Sequence, residues 1–126
     1  MLRAVFATWP RRRWVATVVS TPIVAAAFFT VSGTPTAQAS KTWLLLVAIA
    51  AIIGSAVLAS YVPASGRRPD LGCTPCAAMS AMTLVGAVIA LNSYGPQLTG
   101  AALAIAVTLF GLTQRLSQTT ACAVPN

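Results

Sequence analysis

Residues 43–62 read WLLLVAIAAIIGSAVLASYV, 20 residues without a charge or a proline. An α-helix rises about 1.5 Å per residue, so about 20 residues cover the ~30 Å hydrocarbon core of a bilayer. The run shows none of the apolar–polar alternation of a half-buried strand. Hydrocarbon offers no water to the backbone, so such a segment closes its hydrogen bonds internally as a helix. The run therefore predicts a membrane-spanning helix.

Three further runs follow the same pattern. Residues 14–31 read WVATVVSTPIVAAAFFTV, residues 76–94 read CAAMSAMTLVGAVIALNSY, and residues 98–112 read LTGAALAIAVTLFGL, with Thr113 and Gln114 as an interfacial end. Pro22 within the first run is tolerated in membrane helices. The connections are polar and turn-rich. They are SGTPTAQASKT at 32–42, PASGRRPDLGCTP at 63–75, and a tight turn on Gly95-Pro96 that makes the last two runs a hairpin. The expectation is an all-α integral membrane protein: one membrane domain over 1–126, a four-helix transmembrane bundle with short loops. The spans fall at 14–31, 43–62, 76–94 and 98–114.

Composition agrees. Only 7% of the 126 residues are charged, against about 25% in soluble domains, and 57% are hydrophobic. The net charge of +7 comes from eight basic residues against one acid, Asp70. Spread over one face, that balance would point to nucleic acid. Here the basic residues sit in short clusters between apolar runs, where they set orientation. No nucleic-acid partner is expected. Arg3, Arg11, Arg12, Arg13, Arg67, Arg68 and Arg115 fall on one side of the four spans and Lys41 on the other. The positive-inside bias then places both termini in the cytoplasm, with 1–13 and 116–126 as cytoplasmic tails of a multi-pass cell-membrane (plasma membrane) protein. Arg11, Arg12, Arg13, Arg67, Arg68 and Arg115 are the topology determinants. Trp14, Trp43, Tyr61 and Tyr94 end the runs, where interfacial aromatics belong. A competing reading takes 1–39 as a signal peptide cleaved after Ala37-Gln38-Ala39. It would leave three spans with the same orientation.

The chain has no His and one carboxylate. That excludes His-ligated haem, His-based acid–base catalysis and paired-carboxylate hydrolysis. An enzyme is not expected unless the cysteines supply the chemistry. Cys73 and Cys76 form a C-T-P-C motif before the third span, and Cys122 lies in the C-terminal tail. The topology puts all three on the cytoplasmic side. Thr74 suits an N-cap and Pro75 the first helical position. Cys76 in the first turn, near Arg67 and Arg68, is placed to favour thiolate. Over these four residues the motif resembles the redox site of thioredoxin-like proteins, but the flanking chain has no βαβ pattern, so no function is carried over. Two or three thiolates suit a soft metal ion such as Cu(I) or Hg(II). No other cofactor is implied. A structural disulfide is not expected in a reducing cytoplasm. The bland alternative is that small, buried Cys residues at a helix end do nothing.

Small residues recur at spacing four: Ala50 and Gly54, Ser55 and Ala59, Gly86 and Ala90, Gly100 and Ala104. Such pairs let helices approach closely. No run contains an acid, a base or a His, which argues against a proton-coupled transporter acting alone. Asn92, Gln97 and Gln114 lie near span ends, within reach of water. Hydroxyls such as Thr17, Thr21, Ser80 and Thr108 are expected to bond back to their own helices.

These features favour a small, non-enzymatic accessory or assembly subunit of a membrane complex. Its partners would be the lipid bilayer and other membrane subunits or a second copy. Two alternatives stand beside it. One is a membrane thiol protein, handling a soft metal or thiol–disulfide exchange through Cys73 and Cys76. In general layout it resembles mercury transporters and quinone-linked thiol oxidoreductases. The other is a holin-like pore-former, similar in size and basic ends. Its tail carries only Arg115 near its start, where holins usually have a strongly charged tail.

Overall fold

The computed structural model describes residues 2–35, 37–69 and 74–121, which are helical apart from short connections. The helices are α1 (Leu2–Ala7), α2 (Arg11–Ser32), α3 (Lys41–Ala59), α4 (Thr74–Tyr94) and α5 (Leu98–Ala121). Four of them, α2 to α5, are long and apolar enough to cross a membrane. They pack as a ring: α2 on α3, α3 on α5, α5 on α4, and α4 back on α2. Thus α2 and α5 lie on one diagonal.

Local chemistry sets the helix ends. Pro10 is extended (φ −66°, ψ 146°) and leads into Arg11. Ser40 caps α3, its hydroxyl accepting from the Trp43 amide at 3.2 Å. Gly33 ends α2 in the left-handed region at φ 63°, which costs an L side chain but not glycine. Gly95 makes the turn into α5 in the same way, at φ 56°.

The core has two parts. Toward the α2–α3 loop and the α4–α5 turn, Phe28, Trp43, Val47, Leu91 and the small residues Ala50, Ala87, Ala101 and Ala104 are buried together. At the opposite end, which holds the N-terminal residues and the α3–α4 loop, Trp9, Ala56, Val57 and Leu112 form a second cluster. Of the expected close-approach positions, Ala50, Gly54, Ser55, Ala59, Gly100 and Ala104 are buried, and Gly86 and Ala90 are half-buried.

Several boundaries differ from the sequence expectation, each for a physical reason. The segment 1–13 is not a simple tail. It contains α1, and Trp9 behind it is buried against α3 and α5, because an indole beside an apolar groove gains more from burial than from water. The helix of the second run ends at Ala59, since Pro63 lies just beyond and Ser60 starts the turn. The helix of the fourth run does not stop at 114. It continues to Ala121 because Leu112, Arg115 and Leu116, at helical spacing, keep one face on the bundle. Trp43, expected at a run end, is fully buried in the bundle beside Phe29, ring centroids 6.0 Å apart, and among the described residues its Nε1 has no hydrogen-bond partner. Gln114, expected to reach water, also has its Oε1 buried without a partner among the described residues.

Candidate functional site

Ser60, Tyr61, Ser80 and Arg115 meet at the end that holds the α3–α4 loop. Arg115 of α5 is the largest polar side chain in the interior, 1% exposed. Its guanidinium carbon lies 4.4 Å from the Tyr61 ring centroid, a cation–π contact. Its Nε donates to the Ser60 hydroxyl at 3.3 Å, and that hydroxyl donates in turn to the Val57 carbonyl. The Tyr61 hydroxyl reaches α4, contacting Ser80 Oγ at 2.6 Å and the Ala77 carbonyl. With one proton each, Tyr61 and Ser80 satisfy both links if one donates to Ala77 and the other to its neighbour. The network ties the residues that end α3 to α5 through the guanidinium and to α4 through the Tyr61 hydroxyl. A smaller link joins α2 to α3, where Thr21 and Ser55 hydroxyls meet at 2.9 Å. The expected back-bonds are present as well: Thr17 to the Arg13 carbonyl, Thr21 to Thr17, Ser80 to Ala77 and Thr108 to Ala104.

The N-terminal arginines meet the residues that follow α3. Arg13 Nε donates to the Val62 carbonyl at 2.9 Å, and Arg12 Nη1 to the Gly66 carbonyl at 3.2 Å. Cations suit this position, because carbonyls at and beyond a helix C-terminus lack intrahelical donors. Arg11, Arg67 and Arg68 are exposed. Between α2 and the α3–α4 loop runs an open groove of about 990 Å³ with Arg11, Arg12 and Arg67 at its rim and Val15, Val19 and Val62 along its wall. Phe6, Trp9 and Trp14 form an aromatic cluster with centroids 4.9 to 6.0 Å apart. They border an apolar cleft of about 330 Å³ against α3 and α5.

Thus Arg12, Arg13, Arg67 and Arg115 come to one end of the bundle. Cys76 is the third residue of α4. The helix begins at Thr74, so Thr74 is its first residue rather than its cap, within the usual latitude of helix ends. Cys73 and Cys122 lie outside the described residues, and with them the convergence of the three thiols. Among the described residues no three His, Cys, Asp or Glu side chains gather as a metal site would need. Sequence reasoning missed the part played by Ser60 and Tyr61. The only signal was a tyrosine and a serine at the end of one span and an arginine at the end of another, and separations of about 55 residues leave no local pattern.

No known protein family, curated protein or solved structure matches the chain.

Proposed function

We propose that the chain crosses the cell membrane four times with both termini in the cytoplasm, and that it serves as a non-enzymatic accessory or assembly subunit of a membrane complex. The observation that carries this reading is the use made of the interior polar groups. Arg115, Tyr61, Ser60 and Ser80 bind one another across three helices, and Thr21 binds Ser55 across two. A conducting path needs polar side chains facing water. Here they bond to one another between helices. The outer faces of α2 and α4 carry Val18, Ile23, Met82 and Ile89 in exposed positions, apolar surface suited to lipid or to a neighbouring helix. Purified protein in liposomes should release no trapped ion or small solute faster than empty liposomes. Flux that scales with protein content would instead favour the pore reading.

A thiol function is supported by one feature. The C-T-P-C motif leads into α4, with Cys76 its third residue, and a pair of thiols suits a soft metal ion or disulfide exchange. Replacing Cys73 and Cys76 with Ser should then abolish soft-metal tolerance or disulfide exchange in cells carrying the gene. An unchanged phenotype removes this reading.

A further inference from the structure

We propose that the groove between α2 and the α3–α4 loop is a binding site for one anionic phospholipid, with the phosphate at Arg11, Arg12 and Arg67 and the acyl chains on either side of the Val15–Val19 ridge of α2. Charge carries the first half. Eight basic residues face one acid in the chain, so most guanidiniums must take their counter-ions from outside. Three of them rim this groove. Arg12 uses one N–H on the Gly66 carbonyl, which fixes its position and leaves further donors. Among the described residues Arg11 and Arg67 meet no protein acceptor. Guanidiniums match phosphate oxygens with paired donors.

Shape carries the second half. Arg11, Val15 and Val19 border two adjoining clefts. The larger lies toward Val62 and Pro63, the smaller, about 340 Å³, toward Trp14 and Val18. Both descend from the arginines along apolar wall. One cationic head above two apolar channels is the outline of a diacyl lipid with a charged headgroup. A free phosphate would leave both channels unused. A bilayer supplies phosphate and acyl chain at this depth together, and basic clusters beside a span attract anionic lipids. The inference rests on the membrane reading and is independent of which complex the chain serves.

The test is native mass spectrometry of the full-length protein in detergent, titrated with phosphatidylglycerol and with phosphatidylcholine. Phosphatidylglycerol should be retained in preference, at one molecule per chain. Exchanging both Arg11→Gln and Arg67→Gln, at exposed positions, should weaken that retention about thirtyfold, at the usual contribution of a basic residue beside anionic lipid. Lys41→Gln, remote from the groove, should leave it unchanged. Millimolar inorganic phosphate should not displace the lipid. Equal retention of the two lipids, an unaffected double variant, an equal loss with Lys41→Gln, or displacement by phosphate would each overturn the site while leaving the membrane reading in place. A chain that stays soluble without detergent and retains neither lipid would overturn both.

Discussion

Replacing Arg115 with alanine is expected to lower the unfolding free energy by about 3 kcal/mol, the largest loss for any single polar side chain in the protein. A desolvated cation–π contact contributes about 2 kcal/mol, and removing a buried side chain of this size leaves a cavity that adds to the cost. The guanidinium is the piece that α3 and α5 share, through Ser60 and the Tyr61 ring. Arg115→Lys should recover only part of the loss, because a compact ammonium cannot lay a planar face on the ring. Tyr61→Phe keeps the ring under the guanidinium and removes only the hydroxyl's links to α4. It should cost about 1 kcal/mol, the net value of an ordinary hydrogen bond. Unfolding of the purified protein in mixed micelles by increasing denaturing detergent measures all three. Arg115→Ala within 0.5 kcal/mol of wild type, about the noise of surface substitutions, would mean that the side chain sits in water.

The second large effect is expected at Gly111. This glycine lies buried where α5 crosses α4. A Cβ placed there would overlap Thr83 Oγ1 and lie 3.0 Å from Thr83 Cβ and 3.1 Å from Cγ2. Rotating Thr83 does not help, because its own Cβ is part of the obstacle. The helices must separate, and overpacking of this kind costs about 1–3 kcal/mol, against about 1 kcal/mol that alanine gains over glycine in helix propensity. Gly111→Ala should therefore destabilise despite the better helix former, and Gly111→Leu more so. Adding Thr83→Ala should restore part of the loss, since the hydroxyl overlap goes while the approach to Cβ stays. The same detergent titration reads the result. A stabilised Gly111→Ala would show that α4 and α5 do not approach closely at this point.

The contrast between these two positions and the spans themselves shows what a single sequence carries. Charge-free runs of membrane length are a local property, so the four long helices were legible from residues 14–31, 43–62, 76–94 and 98–114. Spacing-four pairs were legible too, and Gly54 and Gly100 do sit in the packed interior. Gly111 was not, because its partner is Thr83, a residue on another helix. Arg115 read as a charge at the end of a span, and the same residue is also buried. The difference lies in Tyr61 and Ser60, which supply an aromatic face and an acceptor from a distant part of the chain. Trp43 read as an interfacial anchor because tryptophan at a run end usually is one. It is buried because Phe29, at the end of α2, covers it. The aromatic Phe6 and Trp9 in the N-terminal segment were the missed signal there, since a tail of pure topology determinants would have no need of them.

The four-span arrangement is tested most directly by labelling two exposed loop positions with a membrane-impermeant thiol reagent in intact cells. The background is a chain with Cys73, Cys76 and Cys122 replaced by Ser. Gln38→Cys lies in the α2–α3 connection and Ser65→Cys in the loop after α3, both exposed. With both termini in the cytoplasm, Gln38→Cys labels in intact cells and Ser65→Cys only after permeabilisation. The reverse pattern would invert the orientation, and labelling of both positions from outside would contradict the crossing of α3.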